Sequence, residues 1–219
     1  MELTHIFTPL HKQTARDYIG RMNDNKVQCM TIAREFDEAF WDGERRYGYG
    51  GYRYDGRWKG VAQALIAQYN LQANAKILDV GCGKAFLLYE LKVLLPEAEI
   101  VGMDISGYAI RHAKPEVHDQ LIHHAAETPY GFSDNYFDLV ISLTTLHNLK
   151  IAPLVDALKE IQRVGKQQYF VVESYRNPQE LFNLQCWALT CESFFSPDEW
   201  QWVMRAAGYA GDVEFIYFE

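Results

Sequence analysis

The sequence predicts a three-layer α/β domain: a mostly parallel sheet with helices on both faces, preceded by an N-terminal helical cap. Three observations predict it. From Lys76 onward, short apolar runs alternate with segments of helical period, the pattern of parallel strands joined by covering helices. The first of these strands, Lys76 to Val80, ends in a glycine turn that opens directly into a helix. The 219 residues are 48% hydrophobic and 23% charged, enough for one domain with a real core and too apolar for extended disorder.

The elements follow in order. Between Lys12 and Phe40 the apolar residues Tyr18, Met22, Val27, Met30, Ala33 and Phe36 recur mostly three or four apart, and Asn23-Asp24-Asn25 breaks the segment into two short helices. Residues 41–58 are dense in Gly, Tyr and Arg without a usable period and read as a loop. Cap and loop together make residues 1–58 a helical cap with a Tyr/Gly-rich lid, ahead of the main domain at 59–219 in one structural unit. Residues 58–69 return to helical spacing, with Val61, Leu65, Ile66 and Tyr69 on one face. A helix over 85–95 stops at Pro96, and a second strand over 100–104 leads to a short helix over 107–112. Strands are expected over 121–125 and 137–143, a helix over 153–164 and a fifth strand over 169–173. Helices over 178–189 and 197–207 each carry proline in the first turn, and a strand over 212–218 closes the chain.

Composition narrows the partners. Lys and Arg number 21 against 29 Asp and Glu, and the net charge of −8 removes the broad basic field used to grip nucleic acid or anionic lipid. Neither nucleic acid nor membrane is expected as a partner. No window approaches ~18 consecutive apolar residues, and Met1 to Leu10 lacks a basic start and apolar run, so the chain reads as cytoplasmic. Cys29, Cys82, Cys186 and Cys191 form no Cys-x-x-Cys pair, and His112, His118, His123 and His124 fall on different elements or faces. Reduced thiols and no metal site are expected. Trp187, Trp200 and Trp202 read as core or interface anchors, the latter supporting a homodimer contact.

The most specific segment runs from Ile77 to Leu88, with Gly81-Cys82-Gly83 at its turn. Glycines there let the backbone bend sharply and approach a ligand, while the next helix presents unpaired N–H groups. Asp104 ends the second strand 21 positions after Gly83, near the ~20-residue interval at which a carboxylate meets ribose hydroxyls. A nicotinamide dehydrogenase would share this layout. Its Gly-x-Gly-x-x-Gly would need glycine at 86, where this chain has Phe86, and its pyrophosphate would be repelled by Asp79. An aspartate there suits a cationic ligand.

Leu78-Asp79-Val80-Gly81-Cys82-Gly83, then Gly102-Met103-Asp104-Ile105-Ser106, then the segment from Asp134 to Ser142 resemble successive motifs of the class I S-adenosylmethionine-dependent methyltransferases over about residues 76 to 173. The resemblance implies S-adenosylmethionine as cofactor, with Asp79, Gly81, Cys82, Gly83, Asp104, Ile105, Glu127 and Leu143 around it. It implies ribose on Asp104 and adenine beside Ile105. Where the family usually has Asp-Ala-Glu after the third strand, this chain has Ala125-Ala126-Glu127, so contact with the adenine amine falls to Glu127, to backbone or to nothing. Ala85 replaces a usual glycine. The family sheet has seven strands with the last antiparallel; six are placed here, and residues 190–195 either supply the seventh or the sheet is short.

Ligands of open parallel sheets bind beyond the carboxyl ends of the strands. The fourth strand runs out into Ser142 to Asn148 and the fifth into Glu173-Ser174-Tyr175-Arg176-Asn177, which makes His147 and Glu173 candidate general bases and Tyr175 and Arg176 candidate substrate contacts. Methyl transfer to a well-placed nucleophile can also proceed without a base. Tyr49, Tyr52, Arg53 and Arg57 in the lid suit an anionic small molecule, since arginine forks match carboxylate and phosphate oxygens. Gly50 to Tyr54 resembles a subset of these methyltransferases that modify surface-polysaccharide precursors, phosphoramidate or sugar. The expected activity is methyl transfer to oxygen or nitrogen of a small, anionic acceptor. A protein or RNA methyltransferase, a dehydrogenase and a non-catalytic cofactor-binding subunit are the alternatives.

Overall fold

The computed structural model describes residues 5–219, so the first four residues of the expected cap lie outside the described residues. The cap comprises four short helices, α1 (Thr8–His11), α2 (Tyr18–Asn23), α3 (Lys26–Ala33) and α4 (Glu38–Trp41), with the break between α2 and α3 at Asp24-Asn25. After the lid come α5 (Lys59–Gln68), β1 (Lys76–Val80), α6 (Phe86–Leu94), β2 (Glu99–Asp104), α7 (Gly107–Arg111), β3 (Leu121–His123) and β4 (Leu139–Leu143). The chain continues through α8 (Ile151–Val164), β5 (Gln168–Glu173), α9 (Pro178–Trp187), α10 (Pro197–Ala207) and β6 (Asp212–Ile216).

The sheet has the order β3-β2-β1-β4-β5-β6 and every pairing is parallel. In β1, successive side chains point to opposite faces. Ile77 joins Leu65, Leu88 and Leu91 of α5 and α6, whereas Leu78 joins Leu158 and Ile161 of α8 and Met204 of α10. Two apolar clusters thus clamp one sheet, giving the three expected layers. The termini of α10 are written locally: Ser196 and Glu199 form a reciprocal capping box, Pro197 opens the first turn, and Gly208 closes the helix in the left-handed region.

The sheet follows the shorter of the two readings left open, and the strand expected over 137–143 starts later, at Leu139. Residues 190–195 form no strand, and β6 lies directly beside β5 and parallel to it, so the described sheet has six strands and no antiparallel member. The reason is where the backbone groups go: Glu192 and Ser193 donate their N–H groups to the His147 carbonyl at 2.9 and 3.0 Å, tying the segment to the loop after β4 instead of to a strand edge. Phe137 precedes β4, making only an isolated bridge to Gly165.

The cap is fastened across the whole chain length. Glu214 of β6 is fully buried, and it accepts backbone N–H groups from Ile6 at 2.6 Å and Phe7 at 3.0 Å, and the Tyr169 hydroxyl. A buried carboxylate is tolerated because its oxygens are so occupied. Asp138 plays a similar anchoring part, accepting from the Lys76 N–H and the Lys166 ammonium at 2.8 Å each.

Candidate active site

β1 and β4 are the strands between which the sheet order reverses, and a cavity of about 750 Å³ opens beyond their carboxyl ends. The turn after β1 forms one wall. Gly81 and Gly83 have φ of +82° and +56°, and a β-carbon on Gly81 would stand 2.1 Å from Thr145 Oγ1. Only glycine fits there. Ala85, at φ +58°, holds the same left-handed conformation with a side chain, as does Thr144 at φ +56° on the cavity wall.

Two carboxylates floor this end. Asp104 is 7% exposed; its Oδ2 accepts the Gly83 N–H and its Oδ1 the Ser106 N–H, both at 2.7 Å. Burial pushes its pKa up, opposed by those two hydrogen bonds. Asp79 is pushed up to about 8, by burial first and then by the charge of Asp104. Each is a carboxylate short of positive charge.

The lid is packed over the glycine turn. Tyr49 stacks on Trp41 with centroids 5.3 Å apart, and Tyr52 stacks on Phe86 at 5.0 Å. Trp41 Nε1 donates to Ser106 Oγ at 2.9 Å, and Lys84, just beyond the turn, reaches back to Asp42 at 2.6 Å. Lid and turn are locked by aromatic contact and a nearly buried ion pair.

His147 and Glu173 meet where β4 and β5 end. His147 is 4% exposed; its Nδ1 accepts the Glu173 backbone N–H at 3.4 Å, which leaves the proton on Nε2, 3.6 Å from Glu173 Oε2. Burial drives the His147 pKa down to about 3 and raises that of Glu173 to about 7, the latter moderated by Arg16 and Lys26. The histidine is therefore neutral near pH 7 and the carboxyl is poised to gain or lose a proton.

The structure gathers most of the expected residues. Asp79, Gly81, Cys82, Gly83, Asp104, Ile105, Glu127, Leu143, His147 and Glu173 all line the cavity, as do Tyr49, Tyr52 and Arg57 of the lid. Arg53, Tyr175 and Arg176 do not. Arg176 is forked onto Glu180 and reaches Glu219 at 2.8 Å, and the Tyr175 hydroxyl lies 3.4 Å from Glu199. Arg57, at the mouth, is held by Asp55 two residues away at 2.8 and 2.9 Å. Sequence reasoning missed Arg16, Arg21 and Trp187, which line the wall under the cap. Trp187 is a cavity residue, Trp200 is buried in the core and Trp202 is 60% exposed.

A family model described as a methyltransferase domain matches residues 71–208, well over half of the chain. The chain belongs to this methyltransferase-domain family. Among curated relatives, a malonyl-[acyl-carrier protein] O-methyltransferase of Bacillus cytotoxicus is 29% identical over 115 residues, 49% of this chain and 40% of the relative. A demethylmenaquinone methyltransferase of Roseiflexus sp. is 28% identical over 116 residues, 51% of this chain and 46% of the relative. The chain thus spans under half the length of the curated relatives it matches. A SAM-dependent methyltransferase of Archaeoglobus fulgidus superposes with a TM-score of 0.53 at 19% identity, covering 68% of each chain. The YcgJ protein of Bacillus subtilis gives 0.52 at 19%, covering 67% of this chain and 66% of that one. The fold is that of the methyltransferases, and the cofactor class of the family is S-adenosylmethionine.

This chain's residues fit that cofactor. The glycine turn leaves bare backbone along the cavity, Asp104 has used one contact per oxygen on the protein and keeps lone pairs for others, and Ile105 turns an apolar side chain, 55% exposed, toward the same space.

Proposed function

We propose that this methyltransferase-domain chain transfers a methyl group from S-adenosylmethionine to oxygen or nitrogen of a small anionic metabolite. The observation that carries the proposal is the pairing of two desolvated carboxylates on the glycine-turn side with Glu173 at the neighbouring β5 tip, all facing one cavity. Oxygen as the methylated atom accords with matched relatives named O-methyltransferases. The finer acceptor class proposed is a surface-polysaccharide precursor, phosphoramidate or sugar, on the Gly50 to Tyr54 resemblance and the closed aromatic lid above the site.

Asp79, Gly81, Cys82, Gly83, Asp104, Ile105, Glu127 and Leu143 would hold the cofactor. Bound there, S-adenosylmethionine supplies a methyl group already activated on a sulfonium. Asp104 would accept ribose hydroxyls, Ile105 would cover one adenine face and Glu127 would accept from the adenine amine. Asp79 offers negative charge to a cationic ligand, which would draw its proton off. Tyr49, Tyr52 and Trp41 exclude water, and Glu173 takes the acceptor's proton, since a base with a pKa near the working pH is the efficient one. Neutral His147, fixed by the Glu173 N–H, orients that carboxyl.

Calorimetric titration with S-adenosylhomocysteine and, separately, with reduced nicotinamide dinucleotide tests the reading. Binding of the first alone supports it; binding of the dinucleotide alone replaces it with the dehydrogenase reading.

A further inference from the structure

The wall of the cavity under the cap holds three arginines that, among the described residues, form no ion pair. Arg16 precedes α2, Arg21 lies within it and Arg45 follows α4, and all three line the cavity. Their guanidinium carbons stand 5.6, 4.5 and 5.1 Å from the centre of the Trp187 ring. Among the described residues none of the three has a carboxylate oxygen within 4 Å. Their N–H groups go to carbonyls and one imidazole instead. Arg21 donates to the carbonyls of Arg45 and Arg46 at 2.8 and 2.9 Å, Arg16 to that of Thr14 at 3.0 Å and to His11, and Arg45 to that of Gly48. The Nε atoms of Arg16 and Arg21 are buried with no hydrogen-bond partner at all.

This arrangement is unusual in a chain with 29 acidic residues against 21 basic ones. Elsewhere the same chain pairs its arginines: Arg46 with Asp24 at 2.6 Å, Arg163 with Asp134 at 2.9 Å and with Glu160 at 2.7 Å. Three guanidiniums gathered at one ring repel one another, and the π-face of Trp187 offsets only part of that. Burial lowers the pKa of all three; at Arg21 the repulsion of Arg45 adds to it, while at Arg16 the more distant Glu173 pulls the other way more than Arg45 repels. An anion seated among them would remove the conflict and complete the unused donors.

Resting on the methyltransferase reading above, we propose that Arg16, Arg21 and Arg45 form an oxyanion subsite that holds the carboxylate or phosphate group of the acceptor against Trp187. The topology places the subsite usefully. α2 packs on α9 and α1 on β6, so the arginines belong to the β5–β6 side of the sheet, whereas Asp79 and Asp104 end β1 and β2 on the other side. β1 and β5 are two strand spacings apart, roughly 10 Å. A short acceptor anchored by its anion on the cap side would bring its nucleophilic atom to the β4–β5 tips, where Glu173 lies.

The test uses malonate and inorganic phosphate as probes, titrated by calorimetry into the full chain saturated with S-adenosylhomocysteine. At least one of them should bind one to one, with affinity falling at least tenfold in Arg21→Gln and in Arg16→Gln and holding in Arg205→Gln, an exposed position on α10. Binding should also change the indole emission of the wild type but not of Trp187→Phe. Binding of malonate alone assigns a carboxylate acceptor, and binding of phosphate alone a phosphorylated one. S-adenosylhomocysteine affinity is measured on every variant: retained affinity shows that the variant is folded and that the cofactor side is intact. Two results overturn the subsite while leaving the methyltransferase reading standing: neither anion binds a chain that binds S-adenosylhomocysteine, or both bind Arg16→Gln and Arg21→Gln as well as wild type. Failure of S-adenosylhomocysteine to bind the wild type overturns the broader reading and this one with it.

Discussion

The two sides of the cavity are built from opposite charges and solve the problem of burying them in different ways. On the glycine-turn side Asp79 and Asp104 are taken up by backbone N–H groups or by a proton, with burial raising both pKa values. On the cap side Arg16, Arg21 and Arg45 keep their charges, lean on one indole ring and donate mostly to carbonyls. A carboxylate can shed its charge by gaining a proton at neutral pH; a guanidinium cannot. The acidic side therefore adapts to an empty or a filled site, while the basic side stays charged and needs an anion. On the proposed reading the ligands divide accordingly: the cation and its ribose lie toward β1 and β2, the acceptor's anion toward β5 and β6.

The largest expected effect lies between the two sides, at Glu173. Glu173→Gln should lower kcat by about 10²- to 10⁴-fold, the usual contribution of general base catalysis, with S-adenosylhomocysteine affinity unchanged. In the wild type kcat should rise with pH through about 7 as the carboxyl ionises, and this limb should be missing in the variant. Stability should move the other way. The folded carboxyl keeps its proton up to about 7 whereas the unfolded one loses it near 4.5, so its contribution is full below about 4.5 and is lost as pH rises through about 7. Glutamine cannot ionise, so Glu173→Gln should melt increasingly above wild type between pH 5 and 8. A variant with wild-type kcat across this range removes Glu173 from the chemistry.

The next effect separates the two sides. Asp104→Asn replaces a carboxylate that accepts from two backbone N–H groups with an amide that can accept at one end only. Cofactor affinity should weaken by about 1–3 kcal/mol, roughly 5- to 150-fold, while malonate or phosphate binding on the cap side stays within twofold. Equal losses on both sides would mean that the cavity is one coupled site; no loss of S-adenosylhomocysteine affinity would take the ribose away from Asp104.

The contrast also explains what could be read from the chain. The glycine turn, Asp104 and the strands around them lie within a single β-α-β unit, so spacing alone carries the geometry, and β1 falls where apolar patterning puts it. Arg16 and Arg21 meet Trp187 only because α2 packs on α9, well over 150 residues away, and no local pattern announces that. The expectations for Arg57 and Arg176 met a signal that was present in the sequence: Asp55 two residues before one and Glu180 four residues after the other capture them locally. The six-strand sheet was left open by the sequence for a related reason, since the segment after α9 spends its N–H groups on the His147 carbonyl.

The smallest expected effect probes the acidic side's own backbone. Ala85 sits at φ +58°, ψ 30°, immediately before α6, and Ala157 lies mid-way along α8; both side chains are fully buried. Replacing either by glycine deletes one buried methyl group, worth about 0.8 kcal/mol, and loosens the unfolded chain alike. The two changes differ in the backbone conformation each alanine must hold, and the left-handed region costs an alanine about 1–2 kcal/mol that glycine is spared. Ala157→Gly should therefore destabilise by about 1.5–2 kcal/mol in urea unfolding, and Ala85→Gly by about 1–2 kcal/mol less, close to neutral. Equal losses would show that the turn relaxes its alanine out of the left-handed region, and the glycine-turn wall would then be softer than its hydrogen bonds to Asp104 require.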